Sequence, residues 1–223
     1  MHDSLDGNSG LAARTLGEIA TTLPGATAIF RRHKLDFCCG GAISLAEATK
    51  RKNLDLKSVE NELAALVASK QAIPEEPEAL IERIVERYHD VHRRELPELV
   101  LLAQRVEHVH AARPEVPVGL AAALAEMTDE LCAHMQKEEQ ILFPMMRRGG
   151  NPMIGHPIGM MRHEHTEHGE RLDALSVLAN DFEPPADACG TWRALYVGLR
   201  KLSDDLMDHI HLENNILFPQ FNA

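Results

Sequence analysis

Residues 134–144 read HMQKEEQILFP, and residues 209–219 read HIHLENNILFP. Seventy-five residues apart, the two stretches share His, Glu, Ile, Leu, Phe and Pro at the same offsets. In each, His and Glu are spaced i, i+4, which puts them one turn apart on one face of a helix. Apolar neighbours extend that face: Leu131, His134, Glu138 and Ile141 form one stripe, and Leu206, His209, Glu213 and Ile216 the other. The face is expected to be buried. An isolated carboxylate there costs on the order of several kcal/mol, or takes up a proton. Two carboxylates at equivalent positions, each a turn from an inward histidine, call for cations between them.

The repeat continues backwards along the chain. His89-Asp-Val-His92 and His165-Thr-Glu-His168 are both H-x-x-H, seventy-six residues apart and one helix earlier in each half. The pattern predicts two related helical hairpins packed about a pseudo-two-fold axis. Four long helical stretches are expected, over about Glu78–Ala111, Val118–Met146, Ile158–Ala179 and Ala186–Leu217, separated by segments rich in Pro, Gly and acidic residues. At 1.5 Å per residue such helices span about 33–50 Å, and short connections imply an antiparallel four-helix bundle. Four histidines and two carboxylates suit a pair of first-row transition ions, each with terminal imidazoles and both bridged by the glutamates. Iron leads; ligand type alone leaves manganese and zinc open. Other metal motifs fail here. His163-Glu-His-Thr-Glu167 lacks the second histidine of a zincin, and the ferritin-like E-x-x-H at Glu86–His89 has Arg162 at its counterpart position.

Composition agrees with an all-α chain. Of 223 residues, 44% are hydrophobic and only 4% aromatic, and runs of strand-favouring residues are missing. No apolar run approaches the roughly 20 residues of a membrane-spanning helix. The net charge is −11. Residues 1–70 are nearly balanced, with 9 basic against 8 acidic, whereas the remainder carries 14 against 26. So acidic a domain repels phosphate backbones, which argues against a nucleic-acid partner. Of 13 histidines, 11 follow residue 88, inside the acidic part. Four cysteines are too few for a disulfide scaffold, and the N-terminus lacks the pattern of a secretory signal; a cytosolic protein is expected.

Ahead of the bundle, apolar residues at helical spacing predict a small helical domain over residues 1–70. Its turn is Asp36-Phe-Cys-Cys-Gly-Gly41. The break at 69–78, SKQAIPEEPE, predicts few contacts between this domain and the bundle over 78–223. A disulfide within the vicinal pair Cys38-Cys39 is strained, because adjacent Cα atoms lie about 3.8 Å apart. Upstream Arg31-Arg-His-Lys34 favours a reactive thiolate; the plainer reading is a buried structural pair beside a glycine turn. Cys132 and Cys189 read as packing residues, as do Met127, Met135, Met160 and Met161. Glu130 lies one turn before His134, and Glu164 directly precedes His165. Both are candidates to buttress a ligand or line an access route, against the reading that they are solvated helix residues.

The pattern H…H-x-x-x-E…H…H-x-x-x-E on four helices resembles the hemerythrin-like di-iron bundle. With the Asp36–Gly41 turn ahead of it, and the tracts RYHDVHRRELPEL, HMQKEEQILFP and LMDHIHLENNILFP, the chain resembles the Repair of Iron Centres family of the YtfE/ScdA type from about Thr15 onward. The resemblance implies His89, His134, Glu138, His165, His209 and Glu213 as ligands of two non-haem iron ions, oxo- and carboxylate-bridged. It favours the first histidine of each H-x-x-H, where spacing alone leaves His92 and His168 equally symmetric. It implies repair of iron–sulfur clusters damaged by nitrosative or oxidative stress, with iron donated to damaged or apo iron–sulfur proteins. For Cys38 and Cys39 it implies iron handling, redox chemistry or partner contact. Two alternatives remain: a di-iron nitric oxide reductase, and a reversible carrier or sensor of nitric oxide or oxygen.

Overall fold

Thr15 opens the first helix with a reciprocal cap, its hydroxyl accepting from the Glu18 amide and its own amide donating to the Glu18 carboxylate at 2.9 Å. The computed structural model describes residues 10–23, 25–68 and 76–221. The start of the expected N-terminal domain (1–9), its last residues (69–70) and most of the expected linker (69–75) lie outside them. Four short helices come first: α1 (Leu16–Thr22), α2 (Ala26–Arg32), α3 (Leu45–Arg51) and α4 (Leu56–Ala64). Ser44 and Asp55 cap α3 and α4 with their side-chain oxygens. The Cys-Cys-Gly-Gly turn lies between α2 and α3.

Four long legs follow. The first is α5 (Pro77–Ile84), a π turn (Val85–His89) and α6 (Asp90–Val109). The second is α7 (Leu120–Lys137), a π turn (Glu138–Leu142) and α8 (Phe143–Arg147). The third is α9 (Gly155–Leu178), and the fourth is α10 (Gly190–Leu212) running into a π turn (Glu213–Leu217). Side-chain pairs give their directions. Arg93 near the start of α6 bonds Glu139 at 2.8 Å, while Glu107 near its end accepts from the Ala121 amide at 2.9 Å. Glu95 of α6 meets Lys201 of α10 at 2.6 Å, and His110 meets Cys189 at 3.2 Å. Neighbouring legs therefore run antiparallel. Among the described residues no β-strand forms, and the chain is all-α with a hemerythrin-like bundle.

The π turns correct the expected stripes. Phe143 N–H reaches back five residues to the Glu138 carbonyl, Phe218 to Glu213, and Asp90 to Val85. In the two repeated stretches the next residue is proline, which has no N–H to lose from the shifted ladder. The wider turn moves the inward position on by one. Leu142 and Leu217 are buried, whereas Ile141 is 55% exposed and Ile216 half-buried.

Two apolar clusters form the interior, on either side of a layer of histidines and glutamates. One packs Leu80, Ile84, Tyr88, Leu142, Phe143, Ile158 and Phe218. The other runs continuously from Leu16, Ile19, Phe30 and Phe37 of the N-terminal helices into Leu124, Leu131, Leu206 and Ile210 of the bundle. Met127, Met135 and Met161 are core residues, but Met160 is exposed. The shared core overturns the expectation of few contacts between the two parts. Arg31 pairs with Asp204 at 2.9 Å and Asp208 at 2.6 Å, Lys34 with Asp181 at 2.6 Å, and Phe37 packs edge-on against His211. Charge and apolar area from the short helices meet the bundle directly, whatever the composition of the connecting segment.

Candidate metal centre

The first leg and α9 each deliver one histidine to the polar layer, and the second and fourth legs each deliver a histidine and a glutamate. The inward nitrogens meet in pairs. His89 Nε2 lies 3.0 Å from His209 Nε2, and His165 Nε2 lies 3.1 Å from His134 Nε2. Glu138 stands between the pairs, one oxygen 3.4 Å from His89 Nε2 and the other 3.4 Å from His134 Nε2. Glu213 does the same from the other side, at 3.1 Å from His209 and 3.0 Å from His165. The result is two four-residue clusters, His89–Glu138–His209–Glu213 and His134–Glu138–His165–Glu213, with both glutamates common to the two. All six side chains are buried.

This donor set fits a pair of cations. Both oxygens of Glu138 and Oε2 of Glu213 are fully enclosed and face only imidazole Nε2 atoms, at 3.4 Å and 3.0 Å, with no other hydrogen-bond partner. An ionised carboxylate so placed needs positive charge. Protons on the histidines are the chain's own source of it. Burial pulls His89 and His134 down, but the surrounding carboxylates outweigh it and raise them to about 9 and about 10. Glu138 is pushed up by burial and by Glu213, yet the histidines bring it down to about 2. Neutral imidazoles and carboxylates in this arrangement present lone pairs to two ions.

The outer nitrogens are fixed by Glu164, a candidate from the sequence, and by Glu139 and Asn214, which the sequence reading did not single out. His89 Nδ1 bonds Glu139 at 2.7 Å, and His165 Nδ1 bonds Asn214 Oδ1 at 2.9 Å. Glu139 and Asn214 are each the residue after a repeated glutamate, so the motif copies did hold this signal. His134 Nδ1 bonds Glu164 at 2.8 Å, and Lys137 braces that carboxylate at 2.5 Å. The pseudo-symmetric counterpart of Glu164 is Tyr88, which stacks on His209 with ring centroids 5.5 Å apart. Such partners set the tautomer and orientation of a ligating imidazole. Glu130 follows the plainer of its two readings: it is exposed and pairs with Arg171, because one turn before His134 the face has rotated towards solvent.

His92 and His168 are buried beside the centre but aim no nitrogen into either cluster. His168 packs edge-on against His134 at 4.9 Å and His92 lies 5.5 Å from His209. Burial lowers both, His168 to about 3, and holds them neutral. Cys38 is buried and Cys39 half-buried, and their loop rests on the centre. Asn214 Nδ2 donates to the Cys38 carbonyl at 3.1 Å, and Cys39 Sγ lies 3.4 Å from the His165 carbonyl oxygen.

The hemerythrin HHE cation binding domain matches residues 80–221, and ScdA_N, a domain of unknown function, matches residues 12–67. The chain is 50% identical over 210 residues to the iron–sulfur cluster repair protein YtfE of Cronobacter sakazakii, covering 92% of this chain and 94% of that one. Proteins of the same name from Dickeya chrysanthemi and Shigella boydii are 47% and 49% identical, with 93% and 92% of this chain and 96% and 94% of theirs covered.

Proposed function

This chain belongs to the hemerythrin HHE cation-binding family, in its YtfE-type iron–sulfur cluster repair branch, and on that footing we propose that it restores damaged iron–sulfur clusters by supplying iron from a two-ion centre. The observation that carries the reading is the pair of glutamates held in common by two histidine pairs. His89 and His209 would hold one ion, His134 and His165 the other, with Glu138 and Glu213 between them. When bound, an iron pair would supply redox-active, Lewis-acidic metal, the chemistry by which nitric oxide or oxygen would be taken up as a small ligand.

The chain's own residues supply a means of release. Without an ion, the carboxylates favour protons on His89 and His134. Proton uptake at those nitrogens therefore competes with metal and lowers the cost of surrendering it. Glu139, Glu164 and Asn214 keep the imidazoles oriented through the exchange. The clients would be damaged or apo iron–sulfur proteins. No described helix is long and apolar enough to cross a membrane, and all four cysteines are free thiols. The thiols accord with a reducing cytoplasm, where we place the activity.

The test loads the protein with isotopically labelled iron and incubates it with a purified iron–sulfur enzyme damaged by nitric oxide. Repair by donation puts the label into the restored cluster. Restored activity without label transfer contradicts donation.

A further inference from the structure

Asp36, Cys38 and Cys39 converge on one side of their turn, and we propose that they form a third metal site, distinct from the bundle centre, for one thiophilic divalent cation. The proposal does not depend on the repair reading.

Side chains of adjacent residues ordinarily diverge, yet here they meet. Cys38 Sγ is 3.8 Å from Cys39 Sγ and 3.4 Å from Asp36 Oδ1, and one donor atom from each of the three residues lies within 4.8 Å of the others. A tetrahedral ion with metal–sulfur bonds of about 2.3 Å and a metal–oxygen bond of about 2.0–2.2 Å has edges of about 3.8 Å and 3.5 Å. The two edges that meet at Cys38 Sγ already have that spacing, and the third, between Cys39 Sγ and the Asp36 carboxylate, lies within 4.8 Å. A disulfide requires sulfurs about 2.05 Å apart, so the pair is not joined and both thiols are free.

The convergence is built into the backbone. The Asp36 carboxylate accepts from the amides of Cys38 (3.2 Å), Cys39 (2.9 Å) and Gly40 (2.8 Å), curling the loop around it. A Cβ at Gly40 would come within 2.8 Å of Asp36 Oδ2, and one at Gly41 within 2.4 Å of the Phe37 carbonyl. Both glycines are needed for so close an approach. The three donors border a cavity of about 710 Å³ between the N-terminal helices and the bundle, with Arg31, Lys34 and Asp173 also on its wall. Three protein ligands beside open space leave a fourth coordination position for a water or an incoming donor. Contrary to the reactive thiolate expected from the basic flank, whose Arg31 and Lys34 pair with bundle aspartates, the Cys39 thiol, burial and Asp36 together push the Cys38 thiol up, so a bound ion would displace protons.

Cadmium is the probe, titrated into the full-length protein with iron already in its bundle. The expected result is one equivalent bound per chain, with thiolate-to-cadmium charge-transfer absorption and no iron released. Cys38→Ser and Cys39→Ser should each weaken binding by at least about tenfold, because loss of a ligand costs no less than loss of a residue supporting one. Cys132→Ser and Cys189→Ser should leave it unchanged. Asp36→Asn, which keeps the acceptor for the two cysteine amides, should weaken binding without abolishing the absorption. Absence of the thiolate absorption, unchanged binding in Cys38→Ser and Cys39→Ser, or cadmium that enters only by displacing iron would each overturn the site.

Discussion

Asn214 joins the centre to the cysteine loop, and changing it should separate their two dependencies. Its Oδ1 holds His165 Nδ1 at 2.9 Å and its Nδ2 holds the Cys38 carbonyl at 3.1 Å, at a position only 5% exposed. Asn214→Ala leaves His165 Nδ1 buried and unpaired and the Cys38 carbonyl with only the longer 3.5 Å bond from Asn215 Nδ2, at about 1–3 kcal/mol for each bond lost. Allowing for relaxation, stability should fall by about 2–4 kcal/mol, which lowers Tm by about 4–15 °C in a chain of this size. Iron affinity should fall by roughly 10- to 100-fold, as when the outer partner of a ligating histidine is removed. Asn214→Asp keeps the acceptor for His165 but turns an oxygen towards the Cys38 carbonyl. It should retain iron while loosening the loop, so Cys38, 6% exposed in the native fold, should become readily alkylated. Thermal melts, competition with a chelator and timed thiol labelling read the three effects. Equal iron loss in the two variants, or Cys38 labelling unchanged in both, would refute this chain of contacts.

Other perturbations follow from the same geometry. His92→Ala and His168→Ala should keep most of the iron that Glu138→Ala or Glu213→Ala loses, by elemental analysis, since neither histidine aims a nitrogen into a cluster. Phe37→Ala, which removes a fully buried ring between Phe30 and His211, should cost about 3–5 kcal/mol in a denaturant titration. A fragment beginning at Glu78 should melt lower and bind a hydrophobic dye, because it uncovers core shared with the N-terminal helices. In metal-free protein, His89 and His134 are raised from 6.5, so their stabilisation is whole below about pH 6.5 and lost as pH rises through about 9 and 10. Glu138, lowered from 4.5 to about 2, contributes above about pH 4.5 and loses that contribution as pH falls towards 2. Metal-free melts should therefore weaken on the alkaline side, whereas iron-loaded protein, with neutral histidines as ligands, should not.

The repeated H-x-x-x-E stretches made the bundle and its inward polar face legible, because i, i+4 spacing and apolar stripes are direct consequences of helix geometry. Local spacing could not show the π turns. These are set by backbone bonds five residues apart, and they exchange Ile141 for Leu142 at the interior. The outer partners were half-visible: Glu139 and Asn214 occupy one register of the repeat, but their targets lie across the bundle. Glu164 was found by adjacency to His165, although it bonds His134. Glu130 shows how little adjacency guarantees, since its side chain leaves the centre for Arg171. Contact between the N-terminal helices and the bundle was illegible because the pairings, such as Arg31 with Asp204 and Asp208, span most of the chain and carry no periodic signature.

Iron content combined with Mössbauer spectroscopy, on wild-type protein and on Glu138→Ala and Glu213→Ala, tests most directly whether the two clusters are one centre. Both glutamates belong to both clusters. A single centre gives a spin-coupled iron pair in the wild type and weakens both irons together in either variant. One firmly held iron with unaltered parameters in each variant would mean two independent sites and no shared centre.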